Sequence, residues 1–178
     1  MIHQRVRVLL IDSNRDDQYV EGFALVEVLK AGSTVNTVGS GDEAVAYMIG
    51  EGKFADREKF PFPTLIITDL SMEQGDGFDV LEFLAYNPAW SVVPRIIFAG
   101  SNNNDDVRTA YALGASAYHV KPASLADLKQ RMRTIVEYWA SSEIPPVDKT
   151  GLLLPTYNSG RKAARYPKPI AGAKMERP

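Results

Sequence analysis

The chain has 178 residues and 45% hydrophobic content, enough for one well-buried core but cramped for two full domains. It contains no cysteine, which excludes disulfides and thiolate metal sites. The net charge of −2 points to no particular partner, but residues 1–142 hold 13 Lys+Arg against 19 Asp+Glu, whereas residues 143–178 hold 7 against 3.

Two kinds of polypeptide follow from that asymmetry. Residues 1–142 read as a folded domain, and residues 143–178 as a basic C-terminal tail with six of the eleven prolines. The first apolar run, Val8 to Ile11, follows Arg5 and Arg7 and is far too short for a signal peptide or a membrane span. A cytoplasmic protein without membrane contact is expected.

Val6 to Ile11 predicts a strand covered on both faces. A helix follows, capped by Ser13 or Asn14, with Asp16 and Asp17 in the first turn, where carboxylates favour the helix dipole. Its apolar stripe is read as Tyr19, Phe23, Val26 and Leu29, with Gly32 ending it. Thr34 to Val38 predicts a more polar strand at the sheet edge, and Ala44, Val45, Met48 and Ile49 a short amphipathic helix. Residues 51–63 are a charged loop. Leu65 to Thr68 is the third strand, and Phe78, Leu81 and Leu84 mark the third helix. Ile96 to Ala99 is the fourth strand, and Val107, Ala110 and Tyr111 are expected to face inward from the fourth helix. After a fifth strand, Ala117 to Val120, comes the cleanest helical stripe: Leu125, Leu128, Met132, Ile135, Val136 and Trp139.

Five β-α units predict a doubly wound α/β fold, a parallel sheet with right-handed crossovers and helices on both faces. In such folds ligands bind at the carboxyl ends of the strands. Those ends are Asp12-Ser13, Asp69, Ala99-Gly100-Ser101 and Lys121-Pro122. Two carboxylates and a lysine therefore converge on one crevice. Crowded carboxylates repel and need a cation, and an oxygen-lined site suits Mg²⁺. A carboxylate, a divalent cation and a lysine are the parts needed to pass a phosphoryl group to Asp69.

Asp12-Ser13-Asn14, Asp69-Leu70-Ser71-Met72 with Asp76-Gly77-Phe78, and Gly114-Ala115 through Tyr118 to Lys121-Pro122 resemble the motifs of response regulator receiver domains in order and spacing. The resemblance covers residues 5–141. It implies a flavodoxin-like five-stranded sheet of order 2-1-3-4-5; the first and fifth helices are expected to share a face because both carry apolar stripes and the chain crosses over at the first strand. It implies Asp69 as phospho-acceptor and Lys121 as the lysine of the phosphoryl site. Mg²⁺ would be held by Asp12, Asp69 and the Ser71 carbonyl. The Lys121–Pro122 bond would be cis. The loop Gly52-Lys53-Phe54-Ala55-Asp56-Arg57 and the ending Glu137-Tyr138-Trp139 are similar to stand-alone receivers that partner bacterial phytochrome kinases. Implied partners are a sensor histidine kinase, an unnamed output protein reached by protein contact, and a second copy of the chain. Self-association is expected through the fourth and fifth helices and fifth strand, near Tyr111 and Tyr118.

Two positions depart from the family pattern. Ser13 stands where a second acid is usual, a degenerate ligand position for a hard cation. Ala99 stands where a Ser or Thr hydroxyl bonds the phosphoryl group and pulls the aromatic, here Tyr118, inward. Ser101 lies two residues on and offers a hydroxyl. These departures keep an alternative open: a pseudo-receiver that binds protein without a phospho-switch. Taken singly, Asp69 could be a turn carboxylate and Lys121 a solvated lysine. Asp16 and Asp17 are read as helix-terminus charges rather than metal ligands, and His119 as structural, since alternation turns it away from the face of Tyr118. The tail's basic residues interleave with Tyr157 and Tyr166, but without a nucleic-acid motif and beside an acidic body no nucleic-acid role is expected. A flavin-binding protein of similar topology is excluded by the loop Asp12-Ser13-Asn14-Arg15-Asp16-Asp17, which repels a phosphate. Beyond self-catalysed phosphoryl transfer at Asp69, no enzyme activity is expected.

Overall fold

The computed structural model describes residues 5–87, 90–152 and 154. The elements run β1 (Arg7–Ile11), α1 (Arg15–Val28), β2 (Thr34–Val38), α2 (Gly41–Ile49), a 3₁₀ turn (Gly52–Phe54), β3 (Leu65–Thr68), α3 (Gly77–Ala85), β4 (Arg95–Ala99), α4 (Asn104–Ala112), β5 (Ala117–Val120) and α5 (Leu125–Ser141). The strands form one parallel sheet in the order β2-β1-β3-β4-β5, as expected.

Side chains alternate across the sheet and divide the core. Val8, Leu10, Leu65, Ile67, Ile96 and Phe98 pack with Ala24 and Leu25 of α1 and with Leu128, Met132, Ile135 and Val136 of α5. Leu9, Ile11 and Ile66 pack against α2 and α3 on the other face. A smaller cluster joins Ile97 and Ala99 to Leu81 and Ala110. Helices α1 and α5 thus share a face, and their packing brings the start of α1 close to the end of β5.

Three apolar stripes sit differently from expectation. On α1, Tyr19 is 76%, Phe23 49% and Val26 64% exposed, while Glu21, Ala24 and Leu25 are buried. Two stripes at helical spacing compete on this helix, and periodicity alone cannot choose between them. The one that wins carries Glu21 inward, toward a lysine far along the chain. On α4 only Ala110 is buried, and Tyr111 is 52% exposed. Leu125 at the start of α5 is exposed as well.

The 51–63 loop is stitched to the body. Its Phe54 and Phe62 are buried. The Arg57 guanidinium donates to the Tyr47 and Met48 carbonyls, each at 2.7 Å, at the C-terminal end of α2, where carbonyls lack a full set of helical partners. After α5, Val147 packs against the core cluster that includes Phe62. The later part of the basic tail, including Tyr157 and Tyr166, lies outside the described residues.

Candidate functional site

Parallel register puts four strand ends side by side. The Asp12 N–H donates to the Val38 carbonyl at 3.1 Å and the Asp69 N–H to the Ile11 carbonyl at 2.8 Å, so both carboxylates leave the sheet at the same edge. The Lys121 N–H donates to the Ala99 carbonyl at 2.8 Å and brings the lysine to that edge from the other side. The chain passes through Lys121–Pro122 in the trans form, not the cis form the family resemblance implies; no cis bond occurs among the described residues.

Asp12 is fully buried, and its Oδ1 accepts the Asn14 N–H at 2.7 Å. Asn14, rather than Ser13, caps α1: its side chain accepts from the Asp16 and Asp17 N–H groups. The Gln18 amide donates to the Asp12 carbonyl. Asp69 Oδ1 accepts the Leu70 N–H at 2.7 Å, with the side chain 14% exposed. Gly77 closes over this turn: a Cβ there would meet the Asp69 carbonyl oxygen at 2.4 Å, so no other residue fits without backbone movement. Asp76 holds α3 in place through a reciprocal capping box with Asp79.

Lys121 is the hub. Its Nζ lies 2.5 Å from Asp12 Oδ2, 2.9 Å from Asp17 Oδ2, 3.0 Å from Glu21 Oε1 and 3.7 Å from Asp69 Oδ2. The three expected residues, Asp12, Asp69 and Lys121, are therefore in one crevice. Two further carboxylates, Asp17 and Glu21, were not expected there. They stand one helical turn apart on α1, and an acid at 21 between Val20 and the core pair Ala24-Leu25 was a readable signal.

Crowding and burial shift Glu21, Asp69 and Lys121. Burial pushes the Glu21 carboxyl up to about 7; Lys121 opposes the rise, and Asp12 and Asp17 add to it. Burial also raises Asp69 above the usual carboxylate range, against the pull of Lys121 and the Leu70 N–H. Burial would lower the Lys121 ammonium, but Glu21, Asp12, Asp17 and Asp69 together hold it above the ordinary lysine range. Asp12, Asp17 and Glu21 each present an oxygen within 4.8 Å of the others, a donor set that suits a hard divalent cation. Ser13 is exposed and Ser71 is exposed beside Asp69.

The other side of the crevice is poor in hydroxyls. Ala99 is buried at the end of β4. The Ser101 hydroxyl donates to Asp106 Oδ2 at 2.9 Å and accepts the Asn103 N–H at 3.1 Å, so it is engaged at the start of α4. The Tyr118 hydroxyl donates to the Ser101 carbonyl at 2.9 Å. Burial and then the nearby Asp106 raise its pKa. His119, next along β5, is held low by burial and by Arg131.

The response regulator receiver domain family model matches residues 8–133. Response regulator Rcp1 of Synechocystis is 31% identical over 146 residues, 80% of this chain and 93% of that protein. The phosphorylated cyanobacterial phytochrome response regulator RcpA superposes with a TM-score of 0.74 at 30% identity, over 80% of this chain and all of that one. The Mn²⁺-bound form of Rcp1 superposes with a TM-score of 0.70 at 25% identity, over 79% of this chain and 99% of that one.

Proposed function

The chain belongs to the response regulator receiver domain family of two-component signalling, and from that premise we propose that Asp69 accepts a phosphoryl group from a sensor histidine kinase. One observation carries the reading: Asp69, Asp12 and the Lys121 ammonium meet at the carboxyl ends of β3, β1 and β5, with Lys121 Nζ 3.7 Å from Asp69 Oδ2. In the transfer, the donor's bond to phosphorus breaks and a bond from an Asp69 carboxylate oxygen to phosphorus forms. Lys121 pairs with the incoming oxygens. The domain supplies these groups itself, so the phosphoryl chemistry is self-catalysed.

The residues fit a divalent cation. Four carboxylates face one ammonium, and excess negative charge must fall before an anionic phosphoryl group can enter. Asp12, Asp69 and the Ser71 carbonyl would hold Mg²⁺, with Ser13 too exposed and uncharged to replace the usual second acid. The ion would neutralise phosphoryl oxygens.

The division we propose is a receiver over residues 1–142 and a tail over 143–178; the end of α5 at Ser141 supports it. Output goes through protein contact. A homodimer through α4, β5 and α5 is supported by β5 lying at the sheet edge and by exposed Tyr111 and Val120. Among the described residues no helix is long and apolar enough to cross a membrane, and the location proposed is the cytoplasm.

Incubation with Mg²⁺ and acetyl phosphate tests the acceptor. Intact mass should rise by one phosphoryl group, and Asp69→Asn should remove the gain. A second reading, a receiver fold that binds protein without a phospho-switch, is favoured by buried Ala99 and by the Ser101 hydroxyl being tied to Asp106. Absence of label in the wild type would select it.

A further inference from the structure

Glu21 occupies a position that packing alone would give to an apolar side chain. It is 2% exposed, and Ala24 and Leu25 on the next turn are fully buried. Burying a carboxylate is costly unless it is paired. Lys121 Nζ approaches Glu21 Oε1 to 3.0 Å, yet that oxygen has no aligned hydrogen bond. The contact is one of charge, not of a well-formed donor and acceptor. An ammonium has three donors, and Asp12 and Asp17 accept two of them here. The remaining choice lies between Glu21 at 3.0 Å and Asp69 at 3.7 Å.

We propose that Glu21 is a positioning residue that draws the Lys121 ammonium toward α1 and away from Asp69, so that phosphorylation of Asp69 requires Lys121 to leave it. The inference rests on Asp69 being the acceptor. Asp17 contributes less to the restraint, because its side chain is 44% exposed and its charge is screened by water, whereas Glu21 acts from within the core. In the reaction with acetyl phosphate, the bond between the acetyl oxygen and phosphorus breaks, an Asp69 oxygen bonds to phosphorus, and acetate departs. The phosphoryl oxygens then compete with Glu21 for the ammonium. Neutralising Glu21 removes the competitor and leaves the acceptor, the lysine and Asp12 in place.

The test compares wild type, Glu21→Gln, Glu21→Met and Asp16→Asn. Asp16 lies on the first turn of α1, is exposed, and makes no contact with Lys121 among the ion pairs described, so its neutralisation reports a general field effect. Labelling by acetyl phosphate with Mg²⁺ is followed by intact mass, and the Lys121 ammonium resonance is followed by nitrogen-detected NMR without phosphodonor. We expect labelling about threefold faster or more in both Glu21 variants, an unchanged rate in Asp16→Asn, and a Lys121 resonance that is sharp in wild type and broadened by solvent exchange in the Glu21 variants. An equal gain in Asp16→Asn, or no gain in either Glu21 variant that folds, overturns the positioning role. If no protein labels, wild type included, the acceptor reading fails separately. The resonance then decides for Glu21: broadening in its variants upholds the restraint on Lys121, and an unchanged signal overturns it.

Discussion

The two sides of the crevice are built on opposite principles. On the α1 side, Asp12, Asp17 and Glu21 crowd one lysine, with the two deepest carboxylates almost wholly buried. On the β4–α4 side, Ala99 is an apolar wall and the Ser101 hydroxyl is bonded to Asp106. One side has more charge than its single cation balances. The other lacks the group that would read a phosphoryl oxygen. With Asp69 as the acceptor proposed above, the difference would separate two tasks: the ionic side would govern whether Asp69 is modified, and the apolar side how far the modification is felt.

The comparison breaks most sharply if Lys121 is removed. Lys121→Met leaves the buried carboxylates of Asp12 and Glu21 without a cation. Breaking a buried pair by deleting one partner costs about 3–5 kcal/mol. Urea unfolding at pH 8 without divalent ions should show a loss of that order. The loss should shrink below pH 7 as Glu21, already raised to about 7, takes up a proton. A loss under about 1 kcal/mol would show that the ion cluster is screened like an exposed one.

Glu21 tests the same side with the opposite sign. Its carboxyl is raised from 4.5 to about 7, so the folded state holds the proton more tightly than the unfolded state between those values. Its contribution is fully present below 4.5 and is lost as pH rises through 7. Glu21→Gln stays neutral and escapes that loss. It should be more stable than wild type by about 2–3 kcal/mol at pH 8, and the two should converge near pH 4.5. Thermal unfolding across this window, with chelator present, gives the two curves. Parallel curves would mean that Lys121 fully offsets the burial. A stabilising substitution at a native residue is what a site held under tension predicts.

How much of this was legible in the sequence differs between the two sides. Asp12, Asp69 and Lys121 were readable because each ends a strand, and parallel order alone places strand ends together. Ala99 was readable for the same reason. Glu21 was legible only as an acid set among apolar residues of α1; its partner was not, because Lys121 is 100 positions away along the chain and no local period links them. The stripe Tyr19, Phe23 and Val26 looked at least as apolar as the one carrying Glu21, and only the packing of α1 on α5 selects between them. Ser101 offered a hydroxyl at the right strand end, but its bond to Asp106 depends on the entry of α4, which the residue pattern does not specify.

The apolar side is sharpened by restoring what it lacks. Ser13→Asp with Ala99→Thr adds a carboxylate for the cation and a hydroxyl for the phosphoryl oxygen. A hydrogen bond to a charged group contributes about 1.5–3 kcal/mol. Beryllofluoride with Mg²⁺ should therefore bind at least about tenfold tighter to the double variant, with larger NMR shifts through α4 and β5. If wild type already shows shifts of that size, Ala99 and Ser13 do not limit the switch.

The smallest effect belongs to Tyr118. Its hydroxyl donates to the Ser101 carbonyl at 2.9 Å, which ties the middle of β5 to the loop after β4. Tyr118 and Ser101 are both only partly buried, so water can replace the bond. Tyr118→Phe should cost no more than about 0.5–1 kcal/mol in urea unfolding. The same bond also holds the ring in its present position. A receiver that turned its aromatic inward would have to break it, and with Ala99 in place no hydroxyl rearrangement at that strand end drives the break. Removing the hydroxyl should thus change the ring's mobility more than the fold's stability. Aromatic ¹³C relaxation should show greater motion at position 118 in the variant, whereas labelling of Asp69 by acetyl phosphate should stay within about twofold of wild type. A large fall in labelling would place Tyr118 on the ionic side of the crevice, in the reach of Asp69 itself, and would undo the division of tasks between its two walls.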